Sequence, residues 1–150
     1  MDETIQDEEV NIEGYNLIRK DRCRNGGGVA CYIRNDIHFN IREELTDEME
    51  SIFFDILLPK SKPILIGVIY RPPNQLNFLN NFSDKLNSIF NIKIQEMYIL
   101  GDINIDKKSP LAKLYNEICC LHGLKQLITS PTRIYLFIFF AHKLQFSLEH

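Results

Sequence analysis

Hydrophobic positions are absent as a pattern from Asp2 to Glu9, an acidic stretch that predicts a solvated turn or helix fragment. The rhythm changes at Tyr15. Tyr15, Leu17 and Arg19 alternate with Asn16, Ile18 and Lys20, the period of a strand with one face partly exposed. The basic cluster Arg19 to Arg24 then predicts a loop, Asn25-Gly26-Gly27-Gly28 a turn and Val29 to Ile33 a second strand, so the pair should form a hairpin. Three glycines also suit a phosphate cradle. Neither a helical pattern nor Lys-Ser/Thr follows them, so the hairpin is the better account.

After Asn35-Asp36 a polar segment runs to Glu50, and Ile52 to Leu58 reads as the next strand, closed by the polar turn Pro59 to Pro63. Ile64 to Tyr70 is nearly all apolar, as expected of a central strand covered on both faces. Arg71-Pro72-Pro73 cannot continue a ladder, which puts Tyr70 and Arg71 at the strand's rim. Leu76, Leu79, Phe82, Leu86 and Ile89, with Phe78 and Phe90 beside them, repeat at helical spacing and predict an amphipathic helix docked on the sheet. Met97 to Leu100 follows as a short buried strand. A second helix, Leu111 to about Leu121, is opened by Ser109-Pro110 and closed by Gly123. Leu124 to Ile128 reads as one more strand, broken by Thr129 to Arg133. Leu136 to Phe140 is β-prone, uncharged and free of proline, so it either pairs with the sheet as a substitute edge strand or sticks to other chains.

Composition narrows the class. The 150 residues, 45% hydrophobic, suffice for one core. A formal net charge of -3 excludes the strongly basic nucleic-acid binders but not a nuclease, whose carboxylates hold metals that meet the phosphate. The four cysteines, Cys23, Cys31, Cys119 and Cys120, have no metal-ligand spacing and read as reduced structural thiols. The N-terminus has no apolar h-region, and no apolar run approaches the roughly 18 residues of a spanning helix. The expectation is a cytoplasmic or nuclear protein, not secreted, with no membrane segment. Its oligomeric state is not legible.

The candidate chemistry lies in Glu96 to Asp106. Met97 to Leu100 leads through Gly101 to Asp102 and Asn104, which in an extended chain share one face. An acceptor and a donor side by side suit a divalent cation and a phosphate oxygen. The same residues also suit an Asx-rich turn.

In order along the chain stand Gly14-Tyr15-Asn16-Leu17, Asp21-Arg22 with Gly26-Gly27-Gly28-Val29-Ala30, Ile66 to Pro73, Leu100-Gly101-Asp102-Ile103-Asn104 and Ser130-Pro131-Thr132-Arg133. This ordered set resembles the endonuclease/exonuclease/phosphatase superfamily, specifically the apurinic-endonuclease-like domain of non-LTR (LINE-type) retrotransposons, over about Asp2 to Arg133. The resemblance implies an α/β (α+β) fold, a partial four-layered α/β sandwich with mostly antiparallel sheets and outer helices. It implies a domain over residues 1–133 and a divergent apolar tail over 134–150. It also implies DNA as partner and Mg²⁺ or Mn²⁺ as cofactor. By the same resemblance Tyr70, Asp102 and Asn104 are catalytic: Asp102 orients or activates water, Asn104 contacts the phosphate or metal-bound groups, and Tyr70 donates to the phosphate. Arg71, Arg22 and Arg24 would contact nucleic acid.

The family's metal-ligand Glu and its Asp-His pair have no counterpart. Glu3 stands in the acidic turn and is not assigned that role, Glu50 reads as a structural carboxylate, and no Asp follows Asp106 to pair with His142 or His150. The expectation is therefore a fragment of a metal-dependent phosphodiesterase or DNA endonuclease domain, truncated at both ends. It should bind metal weakly and be catalytically impaired or inactive. The alternative is a non-catalytic nucleic-acid-binding or protein-interaction remnant.

Overall fold

The computed structural model of the chain describes residues 5–22, 27–73, 75–92, 94–128 and, as a backbone strand, 137–142. In chain order the elements are β1 (Tyr15–Asp21), β2 (Gly28–Arg34), β3 (His38–Ile41), β4 (Glu50–Leu57), β5 (Ile64–Tyr70), α1 (Phe78–Asn91), β6 (Glu96–Asp102), α2 (Pro110–Leu121), β7 (Leu124–Gln126) and β8 (Phe137–His142). β1 and β2 form the expected antiparallel hairpin. The other strands form one sheet in the order β3-β4-β5-β6-β8-β7. Its pairings are antiparallel except β5 with β6, which α1 joins as a crossover helix.

Alternation along the central strands builds a core on each face of this sheet. Leu65, Ile69, Met97 and Ile99 meet Phe78, Phe82, Leu86 and Ile89 of α1 and Tyr115 and Cys119 of α2. On the other face Ile52, Phe54, Ile66 and Val68 meet Ile18, Val29 and Ile33 of the hairpin. Hairpin, six-stranded sheet and helices are thus three stacked layers, in keeping with the partial four-layered α/β sandwich that the resemblance implies. Gly67 has a packing reason: it pairs with Phe53, and a Cβ there would lie 2.6 Å from the Phe53 ring. No helix of the described residues is long and apolar enough to cross a membrane.

The structure departs from the sequence reading in several places. β1 runs through Asp21, so Arg19 and Lys20 lie in a strand rather than a loop. Their charges are accommodated, since Arg19 pairs with Asp7 at 2.9 Å and Lys20 donates to the Met49 carbonyl at 2.6 Å. The polar segment before Glu50 contains β3, an edge strand paired to β4. Leu76 is 94% exposed and precedes α1, whose buried stripe instead includes Lys85. Lys85 lays its stem in the core and ends on the Leu45 carbonyl (2.6 Å) and Asp47 (2.7 Å). The Ser109 cap forms as expected, its hydroxyl accepting from Ala112 N–H. β8 is no edge strand: it lies between β6 and β7, hydrogen-bonded to both. Thr129 to Arg133 lie outside the described residues.

Burial pushes the Cys119 thiol up to about 11 from 9.0 and carries the neighbouring Tyr115 phenol well above 10.0. Above pH 9 the unfolded chain releases a thiol proton that the fold retains. The stability associated with Cys119 is therefore complete below about pH 9 and declines towards pH 11, by about 2 to 3 kcal/mol in total. Urea midpoints measured from pH 8 to 11 should fall over that window. Cys119→Ala should flatten the decline, and an unchanged slope would remove the thiol as its cause.

Candidate active site

Strand register sets three polar side chains in one row. Glu50 is the partner of Tyr70 across β4–β5, and Tyr70 is the partner of Asp102 across β5–β6. By alternation Glu50 falls with Ile52 and Phe54, and Asp102 with Tyr98 and Leu100, all on the hairpin side of the sheet. The row lies at the end of the sheet where β5 and β6 stop. Arg71 N–H gives the last bond of that ladder to the Asp102 carbonyl at 2.8 Å, and Pro72 has no N–H to extend it.

Gly101 is what lets Asp102 stay in register. Its φ is 138°, and a Cβ there would stand 1.8 Å from the Ile69 carbonyl oxygen. Beyond it the chain does not stay extended. The Asp102 carboxylate accepts Asn104 N–H at 2.9 Å, an Asx turn, and Asn104 takes a left-handed φ of 47°. The shared face expected of Asp102 and Asn104 is therefore lost. The Asn104 amide turns back to donate to the Arg71 carbonyl at 2.8 Å.

Arg71 is only 6% exposed. Its guanidinium donates to the carbonyls of Asn104 (2.8 Å), Ile103 (3.4 Å) and Gln75 (3.4 Å), beside the Phe78 ring. Arg71 and Asn104 thus clamp each other's backbone, with Ile103 and Ile105 anchoring the turn in the helix-side core.

Arg22 reaches the row from just past the end of β1. Its Nε lies 2.6 Å and its Nη2 3.0 Å from the Glu50 carboxylate, which also accepts Gly28 N–H at 2.8 Å. The hydrogen bond to Glu50 raises the Arg22 pKa further above its ordinary value. Cζ of Arg22 stands 5.8 Å from the centroid of the Tyr70 ring. Arg24 lies outside the described residues. The structure therefore brings together Tyr70, Asp102 and Arg22, places Asn104 and Arg71 in the turn behind them, and adds Glu50. Glu50 at a strand start and the Asp21-Arg22 dipeptide were visible signals, but nothing local joins them. Among the described residues no three His, Cys, Asp or Glu side chains gather closely enough to hold a metal ion.

The turn gives a graded test. Asn104→Gly keeps the left-handed backbone and loses the bond to Arg71, whereas Asn104→Ala also strains the backbone. The glycine variant should lose about 1 kcal/mol and the alanine variant about 2 kcal/mol. Urea denaturation measures both. Equal losses would mean that the left-handed conformation is not maintained in solution.

No family model and no curated protein matches the sequence. The fold does have solved counterparts. The endonuclease domain of TRAS1, a telomere-specific non-LTR retrotransposon, superposes with a TM-score of 0.70 at 11% identity, over 88% of this chain and 67% of that one. The human Nocturnin catalytic domain gives 0.57 at 12% identity, covering 85% and 61%. An endonuclease/exonuclease/phosphatase family protein from Bacteroides thetaiotaomicron gives 0.54 at 14%, covering 90% and 62%. The chain thus spans between 61% and 67% of the length of these structures. Its fold is that of the endonuclease/exonuclease/phosphatase proteins, the non-LTR retrotransposon endonuclease domain included.

Proposed function

We propose that this chain is a phosphodiester-binding domain of the retrotransposon endonuclease type, meeting the DNA backbone at the Glu50–Tyr70–Asp102 row, with hydrolysis weak or lost. The observation that carries the reading is that register alone sets Tyr70 beside Asp102 on one sheet face. The Tyr70 phenol can donate to a phosphate oxygen. Asp102 uses one carboxylate oxygen in its turn, and the other is the acceptor able to orient a water. Arg22 is the cation of the row and is held by Glu50. Asn104 and Arg71 act here as positioning residues, because their side chains are engaged with backbone carbonyls.

The donor set does not fit a tightly held Mg²⁺ or Mn²⁺. Such an ion needs correctly placed carboxylate oxygens beside its waters, and the Glu50 carboxylate is already shared between the Arg22 fork and the Gly28 amide. Asp102 remains as the acidic donor of the row. General acid-base help alone is worth roughly 10² to 10⁴ in rate, and no histidine stands among the row's residues to provide it.

Supercoiled-plasmid nicking with Mg²⁺ or Mn²⁺, using the full chain and Asp102→Asn, tests the activity. The two should be indistinguishable, and metal-dependent nicking lost in Asp102→Asn would overturn the impaired reading. Fluorescence anisotropy with a short duplex tests the ligand. Binding should be weak and salt-dependent. No binding at low ionic strength would reject the phosphodiester reading.

A further inference from the structure

The Glu50 carboxylate occupies a position with the chemistry of an anion site. It accepts Nη2–H of Arg22 and the backbone N–H of Gly28, and Nε of Arg22 lies 2.6 Å away as its ion-pair partner, a guanidinium beside a glycine amide. Phosphates and carboxylates are held by that combination. The guanidinium also has close neighbours besides Glu50. A Cβ on Gly27 would stand 2.8, 2.9 and 3.0 Å from Cζ, Nη2 and Nε of Arg22, so the Gly27 backbone lies against the guanidinium plane, and the Tyr70 ring is a further neighbour at 5.8 Å. Gly28 closes the cradle: a Cβ there would lie 2.3 Å from the Lys20 carbonyl oxygen. Both glycines have left-handed φ values, 111° and 102°. The arginine is therefore held by Gly27 as well as by Glu50. The Glu50 side chain is 14% and the Arg22 side chain 38% exposed, so the pair borders solvent.

We propose that this is a phosphate site filled from within: Glu50 is the resident anion of a cradle made by Arg22, Gly27, Gly28 and Tyr70, and it keeps external phosphate groups out. The inference rests on the phosphodiester reading of the row only for the source of the phosphate, a nucleic-acid backbone rather than the free ion. Glu50 meets both the fork and the amide, so an incoming phosphate must displace a carboxylate held at high local concentration. Removing that carboxylate leaves the guanidinium and the amide with donors that a phosphate oxygen can satisfy.

The test compares the full wild-type chain with Glu50→Ala, Glu50→Ala/Arg22→Gln and the near-isosteric Glu50→Gln. Glu50→Ala should lower Tm by about 5 °C. Inorganic phosphate should then raise the Tm of Glu50→Ala well beyond its effect on the wild type at ionic strength matched with KCl, and should have no such effect on the double variant. If Glu50→Ala does not fold, ³¹P line broadening with Glu50→Gln and with wild type reads the same difference. A phosphate response equal in variant and wild type, or one that survives loss of Arg22, overturns the inference. In a parallel arm, Glu50→Gln should bind a short DNA duplex about 10-fold more tightly, with a salt slope steeper by about 1. A phosphate response without any gain for DNA keeps the anion site and rejects DNA as its ligand. Absence of the phosphate response while the wild type still binds DNA overturns the inference alone.

Discussion

The parallel contact between β5 and β6 at Gly101 fixes the end of the sheet. With the Ile69 carbonyl oxygen where a side chain would begin, no other residue fits without moving one strand away from its neighbour. Because the two strands stay together to their last residues, Asp102 stands opposite Tyr70 and its carbonyl is available to Arg71 N–H. The Asx turn, the left-handed Asn104 and the Arg71 clamp all start from that carbonyl and carboxylate. An unpaired strand end there would leave the polar row without a common origin.

Arg71, Lys85 and Arg22 each tie layers together and each is compensated differently. Arg71 relies on backbone carbonyls of the turn, Lys85 on a carbonyl and a half-exposed carboxylate, and Arg22 on a carboxylate and its glycine neighbour. Burying Arg71 and Lys85 is costly unless their donors are met, so their pairings, like that of the more exposed Arg22, bind segments distant in sequence. Arg71 ties the β5 end to the turn after β6, Lys85 ties α1 to the loop before β4, and Arg22 ties the hairpin to β4. Charge here joins the layers that apolar contacts stack.

Much of this was legible locally. The apolar run of β5 reports cover on both faces, the spacing of α1 reports one buried stripe, and Ser109-Pro110 reports a helix start, since each depends on near neighbours. β3 was not legible because an edge strand whose His38, Asn40 and Ile41 are exposed has no two-sided pattern. The glycine run marked a turn, but the room it leaves for a guanidinium is a tertiary fact. Asp102 and Asn104 were found by their motif, while their orientation depended on a backbone reversal that alternation does not foresee. Arg22 and Glu50 lie 28 positions apart, beyond any periodicity.

The strand order also bears on how the chain assembles. β7 precedes β8 in the sequence, yet among the described strands its hydrogen-bonded neighbour is β8, whose other side pairs with β6. β7 therefore cannot join the sheet when it is made. It joins only through β8, whose pairing with β6 links positions some 40 residues apart, and such distant closures are slow compared with hairpins and helices. This edge of the sheet therefore closes only after β8 has been made, and the flank of β6 stays open to other strands until then.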